Sequence, residues 1–193
     1  MLRALLLAPP GAGKGTQGER LAAAFDVPHL ATGDMLRRHV AHGTRLGRAA
    51  QEYMERGELV PDRLVIDLVL LRLSGRKRPP GFVLDGFPRT LVQARKSQHW
   101  GRAKGTTFHA VISLDVPEDE LVRRLVDRGR DSGRSDDHED TIRNRLKVYG
   151  ESTRPLLDFY RERGILLEID GTGPVEEVTD RILSAVRPID LSA

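Results

Sequence analysis

Three glycines, a lysine and a threonine lie within a few residues of one another near the start of the chain. The stretch reads Ala8-Pro9-Pro10-Gly11-Ala12-Gly13-Lys14-Gly15-Thr16. Glycines allow successive backbone N–H groups to converge on phosphate oxygens, a following helix adds the positive end of its dipole, and a lysine adds a mobile positive charge. The stretch therefore predicts a phosphate-binding loop whose ligand is a nucleoside triphosphate.

This glycine loop departs from the common phosphate-loop pattern at two positions. Ala8 replaces the first glycine, and Gly15 follows the lysine where the pattern has a hydroxyl residue, so the hydroxyl is displaced to Thr16. Neither change removes the converging N–H groups, but the displaced hydroxyl weakens the expectation that this side chain binds magnesium directly. A glycine-rich turn without a ligand is the alternative, and it explains neither the lysine nor the threonine.

A second charged motif follows the apolar residues 82–84. It reads Asp85-Gly86-Phe87-Pro88-Arg89. If residues 82–84 form a strand, Asp85 lies at its carboxyl end, where ligands bind in open α/β sheets. There its carboxylate can hold magnesium through water, and Arg89 can clamp a phosphate. A helix cap or turn at Asp85 is the structural alternative.

Arginine supplies most of the positive charge, with 26 of the 31 basic residues. The densest group is Arg123, Arg124, Arg128, Arg130 and Arg134, with Arg143 and Arg145 soon after. Arg124 and Arg128 are one helical turn apart and share a face, and the planar guanidinium suits forked binding of phosphate oxygens. Nearby aspartates indicate that part of this group is salt-bridged surface, to which we assign Arg123, Arg130 and Arg143.

Composition excludes several function classes. The 193 residues contain no cysteine, so disulfide frameworks, thiolate zinc sites and cysteine nucleophiles are excluded. The formal net charge of +3 is too small to argue for a nucleic-acid ligand. The early apolar stretch is too short to span a bilayer, so we expect an unprocessed cytoplasmic protein with no membrane partner. His39 and His42 have no third ligand nearby and are interpreted as surface residues.

Apolar runs of strand length alternate with helical patterns along the chain. The predicted strands are Arg3 to Leu7, Val27 to Ala31, Phe82 to Leu84, His109 to Leu114 and Ile165 to Ile169. The predicted helices are Lys14 to Phe25, Gly33 to His42, Gly47 to Arg56, Pro61 to Leu73, Thr90 to Trp100, Glu118 to Arg128, Asp137 to Tyr149, Arg154 to Arg163 and Pro174 to Val186. This alternation predicts an α/β fold with five parallel strands and helices on both faces.

Seven spaced segments together resemble one enzyme family. They are Gly11-Ala12-Gly13-Lys14-Gly15-Thr16; Thr32-Gly33-Asp34-Met35-Leu36-Arg37; Gly57-Glu58-Leu59-Val60-Pro61-Asp62; Asp85-Gly86-Phe87-Pro88-Arg89 with Gln93; the helix around Arg124 and Arg128; Arg134 with Asp136, Asp137 and Arg145; and Asp170-Gly171-Thr172-Gly173. In this order, over nearly the whole chain, they resemble the adenylate kinases of the nucleoside monophosphate kinase family. The resemblance implies reversible, magnesium-dependent phosphoryl transfer from ATP to AMP, giving two ADP, and a role in purine nucleotide and energy homeostasis.

The resemblance also implies how the chain is organised. It predicts a single kinase unit over residues 1–193, with a P-loop NTPase-type core formed by 1–30, 61–128 and 139–193. Residues 31–60 form a helical NMP-binding insert, and residues 129–138 form a short lid, which Asp136 and Asp137 help to close. Many relatives carry a longer lid, sometimes with four cysteines around zinc; this chain has neither the length nor the thiols, so no zinc is expected. A monomer is expected.

The site residues follow from the same resemblance and from side-chain chemistry. Catalytic roles fall to Lys14, Arg89, Arg124, Arg128, Arg134 and Arg145. ATP-binding roles fall to Gly11, Ala12, Gly13, Lys14, Gly15, Thr16, Arg128 and Gly173. AMP-binding roles fall to Thr32, Arg37, Glu58, Leu59, Val60, Gly86, Phe87, Pro88, Arg89, Gln93, Arg134 and Arg145, and Asp85 is expected to hold magnesium through water.

Thr32 and Gln93 bear on the choice of acceptor base. Thr32 can hydrogen-bond the base region, and Gln93 can present both a donor and an acceptor to the adenine edge. Related kinases for UMP or CMP are similar in the loops but usually lack this threonine, so the pair favours AMP. For Gln93, an exposed helical glutamine without a ligand is the alternative.

A nucleotide switch or nucleic-acid-associated module without kinase chemistry is the alternative class. It would bind ATP or GTP on the glycine loop and a polymer's phosphates through the arginines. It leaves Thr32-Gly33-Asp34, the Gly86–Arg89 segment and Gln93 unexplained, and aromatic residues for stacking on bases make up only 5% of the chain.

Overall fold

The computed structural model describes residues 1–74, 78–132 and 138–191, with the backbone alone at residues 131 and 132. Its strands are β1 (Arg3–Leu7), β2 (His29–Ala31), β3 (Phe82–Asp85), β4 (Ala110–Asp115) and β5 (Leu166–Asp170). Its helices are α1 (Lys14–Ala24), α2 (Thr32–Ala41), α3 (Arg45–Glu55), α4 (Asp62–Arg72), α5 (Leu91–Lys104), α6 (Glu118–Ser132), α7 (Glu139–Val148), α8 (Leu156–Arg161) and α9 (Val175–Val186), with a π-helical turn at Tyr149–Thr153.

The five strands form one parallel sheet in the order β2-β3-β1-β4-β5. Register places Asp85 at the end of β3 beside Leu6 of β1 and beside Ala31 of β2. The glycine loop, the start of α2 and the Asp85 motif therefore leave the sheet at the same edge. This is the edge at which open α/β sheets bind ligands.

Both faces of the sheet are covered by helices, because side chains alternate between faces along each strand. Ala4 and Leu6 of β1 belong to a buried cluster with residues of α1, α6 and α9. Leu5 and Leu7 belong to a second cluster with Ala94 of α5 and residues of α8. The predicted α/β fold, with a five-stranded parallel sheet and helices on both faces, is confirmed.

Several boundaries differ from the predicted ones. Helix α5 continues past Trp100 to Lys104 and ends at Gly105, which has a φ of 62°. Gly101 does not end it, since this glycine is buried where a Cβ atom would lie 3.3 Å from the carbonyl oxygen of Thr106. Helix α6 continues to Ser132, so residues 129–132 of the predicted lid are helical. None of the helices in the described ranges is long and apolar enough to cross a membrane.

Candidate active site

A cleft of about 450 Å³ opens at the carboxyl edge of the sheet. The glycine loop, the first turn of α2, residues 57–60, the Asp85 motif, α6 and α7 all contribute to its walls. Most of the residues predicted from the sequence line this one cleft: Gly11, Gly13, Lys14, Gly15, Thr16, Thr32, Arg37, Glu58, Leu59, Val60, Asp85, Gly86, Pro88, Arg89, Gln93, Arg124, Arg128 and Arg145.

Three of the predicted residues that the structure describes are not among those that line the cleft. The side chains of Ala12 and Phe87 are buried in the core. Gly173 is exposed in the segment after β5. Arg134 lies outside the described residues, as do Asp136 and Asp137. The roles predicted for these residues, and for those that line the cleft, stay predictions.

The glycine loop has the backbone shape expected of an anion-binding turn. Gly11 and Gly13 have φ values of 87° and 89°, which other L-residues rarely adopt. A Cβ atom at Gly11 would also lie 2.8 Å from the carbonyl oxygen of Leu121, so the loop packs tightly against α6. Helix α1 begins at Lys14, so its free N–H groups face the loop.

Lys14 lies across this loop, and its surroundings change the pKa of its amino group. Its Nζ donates hydrogen bonds to the carbonyl oxygens of Ala8, at 2.7 Å, and Pro9, at 2.8 Å. Burial lowers the pKa of Lys14 from its usual 10.5 to about 8. The Asp85 carboxylate opposes this shift, while the guanidinium groups of Arg89, Arg145 and Arg128 add to it. An anionic ligand beside Lys14 would favour its charged form and oppose this lowering of the pKa.

The Asp85 carboxylate is a candidate ligand for a cation. Among the described residues, its buried Oδ1 atom has no hydrogen-bond partner. No cluster of three or more His, Cys, Asp or Glu side chains occurs in the ranges that the structure covers. One carboxylate with an unpaired oxygen among the described residues, beside a phosphate-binding loop, fits Mg²⁺, which keeps several waters and takes its other ligands from substrate phosphates. The residues present therefore fit magnesium bound together with a nucleotide.

Thr32 and Gly86 meet at the ends of β2 and β3. The buried Thr32 hydroxyl donates to the carbonyl oxygen of Asp85 at 3.0 Å. A Cβ atom at Gly86 would lie 2.6 Å from this hydroxyl oxygen, so only glycine fits at that position. The Thr32 hydroxyl thus donates its hydrogen within the protein, and its oxygen can still accept a hydrogen bond from a ligand.

Two arginines extend into the cleft from this side. Arg89 Nε donates to the carbonyl oxygen of Gly86 at 2.8 Å, and the backbone carbonyl of Arg89 accepts from the buried Thr153 hydroxyl at 2.9 Å. Arg37 forms an ion pair of 2.7 Å with Asp34, one turn earlier on α2. Both guanidinium groups are thus partly oriented before any ligand binds.

Gln93 is buried, with 1% of its surface exposed, although it lies on a helix. Its Oε1 accepts from the backbone N–H of Arg89 at 2.7 Å, and its Nε2 donates to Asp62 Oδ1 at 2.7 Å. The alternative of an exposed helical glutamine is therefore wrong.

The remaining arginines divide as the sequence suggests. Arg124, Arg128 and Arg145 line the cleft, and Arg124 also pairs with Glu120 and donates to the carbonyl oxygen of Gly171 at 3.3 and 3.4 Å. The other three form exposed ion pairs on their own helices: Arg123 with Glu120, Arg130 with Asp127 and Arg143 with Glu139.

Some residues around the cleft escape sequence reasoning. Tyr149 and Thr153 line it from the π-helical turn, and burial raises the pKa of Tyr149 to about 12. No local pattern predicts that turn. Asp62 ends the Gly57–Asp62 segment, but the sequence assigns it no role, and only its hydrogen bond with Gln93 indicates one.

The two histidines of α2 and its end form local hydrogen bonds. His39 contacts the Thr44 hydroxyl at 3.0 Å, and His42 contacts the Arg38 carbonyl at 2.7 Å.

Comparison with known proteins agrees with this geometry. The family model described as "Adenylate kinase" matches residues 6–165. The chain belongs to the adenylate kinase family. It is 48% identical over 186 residues to an adenylate kinase of Thermobifida fusca, covering 96% of this chain and 98% of the relative. It is 48% identical over 182 residues to that of Thermus thermophilus, covering 94% and 95%. It is 45% identical over 186 residues to that of Leptospira biflexa, covering 96% and 100%.

Proposed function

We propose that this cleft transfers the γ-phosphoryl group of ATP to the phosphate of AMP, with magnesium, and produces two ADP in a reversible reaction. Membership of the adenylate kinase family makes the chain a phosphotransferase that interconverts adenine nucleotides. One observation carries the assignment of the site. One cleft is lined by the glycine loop, the Asp85 carboxylate and four cationic side chains that interact electrostatically: Lys14, Arg89, Arg128 and Arg145.

Phosphoryl transfer needs this kind of site because it asks for alignment and charge neutralisation rather than covalent help. The acceptor is a phosphate oxygen of AMP, which already carries negative charge at neutral pH because the second pKa of a phosphate monoester is about 6. No side chain has to act as a general base. Several fixed cations around the transferring group are what the reaction requires.

ATP is assigned to the glycine loop. The N–H groups of residues 11–16 surround its β- and γ-phosphates, and Lys14 exchanges its contacts with the Ala8 and Pro9 carbonyls for phosphate oxygens. Arg124 and Arg128 approach from α6. Gly173 lies in the segment after β5, and Arg124 already contacts Gly171 there, which supports placing the adenine of ATP near this segment.

AMP is assigned to the other side of Asp85. Arg37, Arg89 and Arg145 hold its phosphate, with Arg134 assigned to the same group by family resemblance. Residues 58–60 and 86–88 form the wall around the base, and Gln93 reads the base edge. Thr32 faces the base region with acceptor capacity.

Magnesium is assigned to the Asp85 side of the bound phosphates. When bound, the ion neutralises the phosphate oxygens and helps to align them. Asp85 would hold it through a water molecule bound to Oδ1, the atom without a hydrogen-bond partner among the described residues. The chain's own cations then neutralise the remaining charge.

The division into a core, an NMP-binding insert at 31–60 and a short lid at 129–138 is part of this proposal. It is supported by the fact that residues 57–60 of the insert and Arg124 and Arg128 of α6 line the same cleft as the glycine loop of the core. A monomeric state and a cytoplasmic location stay predictions from the sequence.

The test is a coupled assay of the purified chain with ATP, magnesium and one of AMP, CMP, UMP or GMP. We expect ADP formation with AMP to exceed that with each other monophosphate, and removal of magnesium with EDTA to abolish it. Equal or faster turnover with UMP or CMP would contradict AMP as the acceptor. Salt-dependent binding to DNA or RNA without any ADP formation would favour the nucleic-acid alternative.

A further inference from the structure

Asp62 is the first residue of α4, and its carboxylate lies against the first turn of α5. Oδ1 accepts from Gln93 Nε2 at 2.7 Å, and both carboxylate oxygens lie 3.2 Å from the Thr90 hydroxyl. The Thr90 hydroxyl in turn accepts from the backbone N–H of Gln93 at 3.1 Å. Asp62 thus holds the side chain of Gln93, and Thr90, which contacts Asp62, holds its backbone N–H.

The neighbours of Gln93 fix which way its amide group faces. A carboxylate at neutral pH only accepts hydrogen bonds, so the group facing Asp62 must be the NH₂. A backbone N–H only donates, so the group facing Arg89 N must be the carbonyl oxygen. Rotating the amide by half a turn would replace both hydrogen bonds with repulsive contacts.

Among the described residues, one donor and one acceptor of the amide have no protein partner and remain for a ligand. Nε2 has a second hydrogen, Oε1 has a second lone pair, and the side chain lines the cleft. At base position 6, adenine donates through its amino group, whereas a 6-oxopurine accepts through its oxygen. A fixed carbonyl oxygen facing position 6 therefore suits adenine, and the rotated amide would suit the 6-oxopurine.

We propose that Asp62 is a positioning residue for base specificity, which locks the Gln93 amide in the orientation that accepts adenine and rejects a 6-oxopurine monophosphate. This inference rests on the proposed function, because it requires that the base of the acceptor nucleotide lies at Gln93. Asp62 itself contacts no substrate. It acts through the direction of one amide group, so its effect falls on the choice between bases.

The test is Asp62→Asn. This substitution keeps the size of the side chain and replaces a carboxylate, which only accepts hydrogen bonds, with an amide, which can also donate them. The amide introduced by this substitution can donate to Gln93 Oε1 as well as accept from Nε2. Asp67→Asn is the matched control, since Asp67 is an exposed carboxylate on the same helix and lies outside the cleft. The substrates are AMP and inosine monophosphate, whose bases differ only in the group at position 6 and the proton at N1.

We expect Asp62→Asn to lower the ratio of kcat/KM for AMP to that for inosine monophosphate by about tenfold or more, the size associated with a hydrogen bond to a charged group. The change should fall mainly on the KM values, with kcat at saturating AMP within about threefold of wild type. Asp67→Asn should leave the ratio unchanged. A purely structural role for Asp62 would lower the melting temperature or slow both substrates equally, and that result would overturn the proposal.

Two further measurements separate this inference from the proposed function. In a Gln93→Ala background, Asp62→Asn should have no further effect on the ratio, because Asp62 acts only through Gln93. In the wild-type enzyme, NMR should show one side-chain N–H of Gln93 protected from exchange, and rapid exchange of both would overturn the lock even if the variant did not fold. Absence of ADP formation from AMP by wild type would contradict the proposed function, whereas normal AMP turnover with an unchanged ratio in Asp62→Asn would overturn the role of Asp62 alone.

Discussion

Arg89 is positioned by contacts on both its side chain and its backbone. Its Nε donates to Gly86, its backbone N–H donates to Gln93, and its carbonyl accepts from Thr153. The guanidinium group is therefore oriented at the expected position of the acceptor phosphate before the substrate binds. Preorganised charge of this kind stabilises a transition state more than a mobile group does.

Arg89→Ala should lower kcat for ADP formation by about 10²- to 10³-fold, because a fixed cation is lost from the transferring group. Steady-state kinetics with ATP and AMP measure this directly. Arg123→Ala is the control, since that side chain is 71% exposed in a surface ion pair, and it should change kcat by less than about twofold. A near-normal rate for Arg89→Ala would contradict the role given to it.

Lys14 should take up a proton when ATP binds at alkaline pH. Its pKa of about 8 in the free protein means that much of it is neutral at pH 9, and the ATP phosphates favour the charged form. Calorimetry in buffers of different ionisation enthalpy should show proton uptake on ATP binding at pH 9 and little at pH 6.5. Lys14→Gln should abolish the uptake, and Lys104→Gln, at an exposed lysine, should retain it. No uptake by the wild type at pH 9 would contradict the depressed pKa.

The lowered pKa of Lys14 also makes the free energy of unfolding depend on pH in a definite direction. Between pH 8 and 10.5, Lys14 binds fewer protons in the folded chain than in the unfolded chain. Its contribution to the free energy of unfolding therefore rises with pH across this window. The cost of burying its charge is fully present below pH 8, where both states are protonated.

At the residue scale, the sequence predicts identities better than orientations. Lys14 and Asp85 could be placed because each lies at, or shortly after, the carboxyl end of a strand, which decides the edge of the sheet at which it is found. The internal bonding of Gln93 could not, because its burial depends on Asp62, which is 31 residues earlier. Local helical periodicity contains no information about that contact.

At the scale of elements, helix α7 is attached to the end of the predicted NMP-binding insert. Asn144 Nδ2 donates to the carbonyl of Arg56 at 2.6 Å, and the Thr141 hydroxyl donates to that of Glu55 at 3.2 Å. The last carbonyls of a helix have no partners within it, so α7 supplies donors that α3 lacks. Gly57, with a φ of 70°, lets the chain pass close to Arg145, because a Cβ atom there would lie 2.9 Å from Arg145 Cγ.

Asn144→Ala should raise the KM for AMP by about two- to tenfold, the size of one hydrogen bond, because the wall formed by residues 57–60 loses a contact that holds it. The KM for ATP should stay within about twofold, since the glycine loop is untouched. Arg143→Ala, on the outer face of the same helix, should change neither constant. Equal changes in both KM values for Asn144→Ala would contradict a contact that acts on the insert.

Element order follows from the sequence, while element ends depend on packing. Gly101 suggests a helix end, yet a close approach to Thr106 makes glycine suitable inside α5. The sequence predicts two helices over residues 137–149 and 154–163, and a π-helical turn at Tyr149–Thr153 brings Tyr149 and Thr153 to the cleft. Hydrogen-bond patterns of this kind depend on the tertiary partners of the turn.

At the scale of the whole molecule, the sheet connects two packed faces. Ile182 of α9 is 1% exposed and packs in the cluster on one face, whereas the single tryptophan, Trp100, packs at the other. If the chain is one kinase unit, loss of packing on the first face must change the unfolding that Trp100 reports.

Ile182→Ala should lower the free energy of unfolding by about 2 to 5 kcal/mol through lost burial and a residual cavity. Denaturant titrations followed by Trp100 fluorescence and by circular dichroism should shift together. Val175→Ala, at a 39% exposed position on the same helix, should cost less than about 0.5 kcal/mol. Separate transitions for the two probes would show that the faces unfold independently.

Strand order matters more than any single motif for assembling the cleft. The sequence predicts a parallel sheet, but the order β2-β3-β1-β4-β5 places the Asp85 motif between the glycine loop and the start of α2. Periodicity does not encode that order. The register of β3 against β1 and β2 accounts for it physically.

Transfer of the γ-phosphoryl group to AMP is tested most directly by following a radiolabel in the γ-phosphate of ATP, with magnesium and AMP present. We predict that the label appears in ADP made from AMP, with two ADP formed for each ATP consumed and inorganic phosphate released at a far lower rate. Release of the label as inorganic phosphate, with AMP unchanged, would contradict the assignment of AMP to this cleft.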